Sequence, residues 1–376
     1  MLSDLPAAAS PSAVPVAATG SHPAGPKLWR PKRVLVTPAA LGFAHGRAIA
    51  ERAALHGAEV VELKANRLTG IAAGDPRRIY ADAKSTLAVV VAPPSKRRLQ
   101  SIPPSADWRF DLATGCPAHC QYCYLAGSLS GPPITRVYAN LDEILAGLAD
   151  YAGRGQITST SAARAGEGTT FEASCYTDPL GIEHLTGSLA TTVRHFGMWQ
   201  APVQLRFTTK YHGIEPLLGV EHNGCTRIRF SVNAAPAARF EGGTAAISAR
   251  LQAMRRAALA GYPVGLTVAP IIAVPGWREA YDRLLSDARG ALEGVPRLDL
   301  SVELITHRFT PRSKRVLNAW YKGSSLDMEE AIRSKKLTKF GSLKYVYPRE
   351  LMRDLRDFFE CAVAAHLPNA RILYWT

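Results

Sequence analysis

Short runs of apolar residues alternate with longer segments in which apolar positions recur every three or four residues, and this rhythm predicts the fold. The segment "KRVLVTPAALGFAHGRAIAERAALHGAEVVELK" reads as strand, helix, strand, and "STLAVVVAPP" reads as another buried strand. Together they predict a small α/β extension over residues 31–106. From Trp108 onward the strand-like runs are "WRFDLA", "TTFEASC", "VQLRFTTK", "TRIRFSVN", "PVGLTVAPII" and "RLDLSVELI". Helical patterns fall between them, near 181–196, near 244–260 and from about 277. Six strand-then-helix units in order predict an α/β domain over 107–306, with a parallel sheet curled into a partial or complete barrel.

In a barrel of this kind, strand C-termini and the loops after them face one mouth. The polar residues predicted there are Cys116, Glu172, Cys175, Lys210, Ser231, Asn233 and Glu303. Asn233 and Glu303 read individually as ordinary strand-end polar residues. As a set, the seven predict an active site with the cysteine loop at its edge.

Composition narrows the class. Of 376 residues 47% are hydrophobic, enough for a real core, and no apolar run approaches the ~20 residues of a membrane span. The six cysteines, three clustered and three scattered, do not form a secreted disulfide framework. These features predict a soluble protein of a reducing compartment, the cytoplasm, with no membrane partner. The first thirty residues, Pro- and Ala-rich with an early acid and no basic start, read as a disordered tail and not as a targeting peptide.

The formal net charge is +14, and it is unevenly spread: His307 to Arg356 carries thirteen Lys or Arg against five Asp or Glu. Such a concentration is either a solvated helical face or a contact for a polyanion such as nucleic acid.

The densest chemistry lies in "CPAHCQYC", where Cys116, Cys120 and Cys123 follow the spacing C-x3-C-x2-C. Thiolates so placed converge on a soft metal. Zinc wants a fourth ligand, for which His119 stands directly before Cys120 and His184 or His212 must come from elsewhere. Three sulfurs also suit a four-iron cluster whose fourth iron stays open. A zinc knuckle and a cluster both stay open from spacing alone.

With the aromatic Tyr122 before its last cysteine, this motif resembles that of the radical S-adenosylmethionine (SAM) enzymes, which implies a partial (β/α)6 barrel. "ATGCPAHCQYCYL", "FEASCYTDPLGIEHLTGSL", "LRFTTKYH", "TRIRFSVN", "LITHRFTPRSKRV", "KYVYPRE" and "LPNARILYWT" resemble, in order, segments of the spore photoproduct lyase family, from about Pro26 to the C-terminus.

The resemblance implies that Cys116, Cys120 and Cys123 hold a 4Fe–4S cluster whose open iron takes SAM, and that Thr177, Lys210 and Ser231 contact SAM. It implies that Cys175 donates a hydrogen atom to a product thymine radical, with Tyr122 and Tyr124 relaying the radical back towards SAM. The implied reaction cleaves 5-thyminyl-5,6-dihydrothymine, two thymines crosslinked in DNA, with electrons from a donor such as ferredoxin or flavodoxin.

Residues 307–376 would then form a basic substrate- and DNA-binding segment. In it, Lys339 and Phe340 replace the family's Arg-Tyr pair, and Cys175 is followed by Tyr176-Thr177 where the family has Thr-Ser. These departures lie on the substrate side and open the identity of the lesion. Cys225 and Cys361 match nothing in the family and read as structural. The alternatives are a radical SAM enzyme acting on another nucleic-acid or small substrate, and a zinc-bound nucleic-acid-binding protein without catalysis.

Overall fold

The computed structural model describes residues 28–129, 131–337 and 341–376. Its strands, in chain order, are β1 (Arg33–Val36), β2 (Glu59–Glu62), β3 (Thr86–Val90), β4 (Gln100–Ile102), β5 (Ala106–Phe110), β6 (Ala113–Thr114), β7 (His119–Cys120), β8 (Thr135–Tyr138) and β9 (Thr169–Ala173). They continue with β10 (Val203–Thr209), β11 (Thr226–Val232), β12 (Glu241–Gly242), β13 (Val264–Ile271), β14 (Leu300–Thr306), β15 (Ser334–Leu337), β16 (Leu343–Val346) and β17 (Arg371–Trp375).

The main sheet has eight strands in the order β17-β14-β13-β11-β10-β9-β5-β4 and curls into a half-barrel. Every neighbouring pair is parallel except β4 with β5. All six predicted strands are present. The short strand β17 extends the run beside β14, and its "RILYW" carries too little alternation to have been read as a strand from sequence.

Side chains on a strand point alternately to opposite faces. In β10, β11 and β14 one set, Leu205, Phe207, Ile228, Phe230, Leu300, Val302 and Leu304, joins the apolar core. The helices Ser188–Gly197, Ile247–Leu259, Trp277–Leu292 and Arg349–His366 supply apolar residues to the same core. The other set, Arg206, Arg229 and Glu303, lies buried within the curl. The helix expected near 181–196 is divided in two at Gly187, whose left-handed backbone (φ 64°) interrupts the helical hydrogen bonding.

A second sheet, ordered β2-β1-β3-β8-β6, covers the N-terminal side. Its β8 comes from beyond the cysteine loop and pairs with both β3 and β6. The loop therefore leaves from β6 and returns through β8, both strands of this second sheet, while β5, just before β6, belongs to the half-barrel. Among the described residues no helix is long and apolar enough to cross a membrane.

Candidate active site

The cysteine loop is fixed at several points. Gly115 enters it with φ 77°, and a Cβ there would stand 2.1 Å from the Ile134 carbonyl oxygen, so only glycine fits. Lys84, buried, donates to the carbonyls of Cys116 and Ala118. Midway, β7 pairs antiparallel with β12, which sets Cys120 opposite Glu241. All three cysteines are free and half-buried. Burial pushes the Cys116 thiol up to about 11 against the pull of Lys84, and the Cys120 thiol up to about 12 against the pull of Lys210. Among the described residues no three of His, Cys, Asp and Glu gather on a single-ion position. His119 shares a 2.8 Å hydrogen bond with the Tyr80 hydroxyl through its Nδ1.

Lys210, at the end of β10, reaches across the sheet. Its Nζ donates to Ser231 Oγ (2.8 Å), to Glu241 Oε1 (2.9 Å) and to the Ala269 carbonyl (3.0 Å), and it stands 5.5 Å above the Tyr122 ring. The structure thus brings together Lys210, Ser231 and the cysteine loop.

Sequence reasoning missed the residue at the centre of this group. Glu241 accepts from Tyr122 Oη, from Lys210 and from Arg250 (2.6 Å). Burial would raise its carboxyl, but Lys210 and Arg250 outweigh that and hold it at about 2. Asp178, also missed, accepts from the Lys210 backbone N–H (2.6 Å) and from Thr209 Oγ1 (2.8 Å), and burial pushes it up to about 6. Neither has a motif of its own, since each matters only through partners brought near by the fold.

Cys175, just beyond β9, is half-buried, and burial together with the charges of Glu172 and Asp111 pushes its thiol up to about 12. It therefore keeps its hydrogen at neutral pH. Arg109 Nη1 reaches the sulfur at 3.5 Å and its guanidinium stacks 4.6 Å from the Tyr176 ring. Tyr124 lies under the guanidinium of Arg308, 5.5 Å away. Lys339 and Phe340 fall outside the described residues. The flanking β15 and β16 pair as a hairpin, and the charges of Arg308 and Lys336 both act on its Lys344.

Two residues predicted at the mouth belong elsewhere. Glu172 and Glu303 are locked into a buried ion network with Arg229 and Arg206: Arg229 donates to both carboxylates, and Arg206 to Glu303. Ser105, Thr267 and Tyr374 complete it. Strand alternation turns these carboxylates into the curl, where guanidinium groups consume them. Asn233 bridges the Pro270 carbonyl (2.9 Å) and Tyr281 Oη (2.8 Å), a structural role.

Two buried hydroxyls near the loop lack partners, Thr177 Oγ1 and Tyr211 Oη, and the latter is close enough to Cys116 and Cys120 to sense their charge. Buried polar groups without a protein partner leave room for a water or a ligand to complete their bonding. Together with three free thiols on one loop and a lysine ammonium beside a serine hydroxyl, they fit a sulfur-held cluster and a carboxylate-bearing cofactor.

The family model described as spore photoproduct lyase matches residues 29–376. A spore photoproduct lyase of Geobacillus sp. is 40% identical over 352 residues, covering 93% of this chain and all of the relative. That of Bacillus subtilis is 38% identical, covering 92% and 98%. A solved mutant spore photoproduct lyase with bound AdoMet and dinucleoside spore photoproduct superposes with a TM-score of 0.85 at 38% identity, over 93% of this chain and all of the other. A second solved structure, a spore photoproduct lyase complexed with dinucleoside spore photoproduct, also gives 0.85. The chain belongs to the spore photoproduct lyase family.

Proposed function

We infer that this protein is a radical SAM lyase that repairs spore photoproduct in DNA, on a partial (β/α)6 barrel with residues 307–376 facing the substrate. One observation carries the reading: three free thiols share a loop beside the Lys210–Ser231 pair, in a chain aligned along nearly its whole length with spore photoproduct lyases. Cys116, Cys120 and Cys123 would hold a 4Fe–4S cluster and SAM would bind beside it; the cluster and SAM together would supply, on one-electron reduction, the radical that starts the reaction. An external electron donor such as ferredoxin or flavodoxin is required.

The chain's own residues orient and finish the chemistry. Lys210 and Ser231 offer an ammonium and a hydroxyl to the SAM carboxylate, a charge-assisted arrangement. Thr177 adds its unpartnered hydroxyl. Cys175, kept protonated by burial, has a hydrogen atom to give to the product thymine, and Tyr122 and Tyr124 stand beside the cysteine loop to return the radical. Lys339 and Phe340 are assigned to substrate contact by resemblance alone. The zinc-bound alternative is disfavoured because the chain aligns along nearly its whole length with lyases.

The test is anaerobic reconstitution followed by incubation with dinucleotide spore photoproduct. Release of thymidylyl-thymidine with SAM cleavage is expected; stoichiometric zinc without SAM cleavage overturns the reading. Cys175→Ala should still break the crosslink but divert product into adducts, and clean repair by this variant would refute the donor role.

A further inference from the structure

An open cavity of about 630 Å³ lies between the N-terminal sheet and the first strands of the half-barrel, and its walls include Lys96, Arg98, Gln100, Arg109, Arg136 and Tyr176. Four of these six carry positive charge. The neighbouring Arg97 shows what a satisfied cation looks like here, paired with Glu143 at 2.9 Å. Among the described residues, no carboxylate forms an ion pair with Lys96, Arg98, Arg109 or Arg136. Arg136 is half-buried, and burial lowers its pKa, the signature of a guanidinium desolvated without a counter-ion. Asp111, the one acid on the wall, offsets a single charge, acting on Arg109 and Lys96.

The cavity is placed next to the chemistry. Arg109, on its wall, bonds the Cys175 sulfur, and Tyr176, also on the wall, follows Cys175 in the chain. At the opposite lip Arg312 Nη2 donates to the Leu129 carbonyl (2.7 Å), which joins the cavity to the helix Pro311–Trp320 of the basic C-terminal segment. A cationic surface thus runs from that segment to the thiol and on past it.

Resting on the function inferred above, we propose that the cavity lined by Lys96, Arg98, Arg109 and Arg136 holds the DNA phosphodiesters flanking the lesion. A dinucleoside carries no phosphodiester, so the ligand seen in the solved relatives could not reveal such a contact. Cations clustered without carboxylates, on an open surface in a chain of net charge +14, are the electrostatic footprint of a backbone contact that positions the nucleic acid without reading its sequence. Their spacing in the chain, over forty residues and three segments, hides the cluster from the sequence.

The experiment measures binding to a fluorescent oligonucleotide containing one spore photoproduct, by anisotropy across a range of salt, and to the bare dinucleoside, by calorimetry. Two double variants are compared with the parent: Arg98→Gln/Arg136→Gln, and Lys96→Gln/Arg98→Gln, the second altering only exposed side chains. Both should bind the oligonucleotide severalfold more weakly, with the slope of log K against log salt reduced by about 0.7–0.9 for each phosphate no longer neutralised. Affinity for the dinucleoside should be unchanged. If the parent prefers lesion DNA and the variants match it in affinity and slope, the phosphate site is wrong while the function stands. An equal fall in dinucleoside affinity also overturns it, since the residues then touch the bases. A parent that does not distinguish lesion from undamaged DNA overturns the function and this site with it.

Discussion

Two carboxylates inside the half-barrel have nearly the same local chemistry and opposite prospects. Glu303 sits between Arg206 and Arg229; Glu241 sits between Lys210 and Arg250. Paired cations hold each near 2 despite burial. The difference is access. Arg206 and Glu303 side chains are 0% exposed, whereas Lys210 retains 16% exposure and already divides its three donors among Ser231, Glu241 and a backbone carbonyl. The first network is closed, with partners on six strands and the segment just before β5. The second is open on one side, so its lysine can exchange a partner for a ligand carboxylate. A buried ion pair is weak evidence of net stabilisation, but breaking one by removing a single member is costly. On the proposed function, the closed network serves the shape of the sheet and the open one serves binding.

The sharpest way to break the comparison is Glu303→Ala, which leaves two buried guanidinium groups without their shared partner. It should cost about 3–5 kcal/mol in urea unfolding. The contribution of Glu303 is also pH-dependent. Its folded pKa, about 2, lies below its usual value, so the stabilisation is complete above roughly pH 4.5 and fades as pH falls towards 2. The gap between parent and Glu303→Gln should close over that acid range, and a gap constant from pH 6 to 2.5 would contradict the assignment.

Lys210→Met should weaken SAM binding by roughly 10- to 100-fold, the worth of a charge-assisted hydrogen bond, while costing less stability than Glu303→Ala, because Arg250 still pairs with Glu241. If it unfolds the protein as Glu303→Ala does, the distinction between closed and open networks fails. Thr177→Val tests the same side with a smaller perturbation. Its hydroxyl has no partner in the protein, so stability should hold or rise while SAM affinity drops by about 1 kcal/mol, near fivefold. Equilibrium dialysis beside calorimetry separates the two effects.

Much of this was legible in the sequence, for identifiable reasons. The six strands announce themselves by alternation, the cysteine loop by its spacing, and Lys210 with Ser231 by their place at strand ends. Alternation also carries a signal that strand ends alone do not: "LRF", "TRIRF" and "SVEL" place charged residues at every second position of strands too buried to expose them. By that pattern Arg206, Arg229 and Glu303 are partners inside the curl. Glu241 was out of reach, because its importance depends on the pairing of β12 with β7 across more than a hundred residues. So was the enlistment of Thr135–Tyr138 into the N-terminal sheet, which no local pattern encodes.

That enlistment has a consequence for how the sulfurs are held. Both ends of the cysteine loop are moored in the N-terminal sheet, at β6 and β8, and its middle is tied to β12. Loosening the N-terminal layer, by Lys84→Ala or by unpairing β3 from β8, should spoil the mutual spacing of the thiols while the half-barrel stays intact, so a layer whose strands carry none of the three cysteines governs how tightly they are gauged.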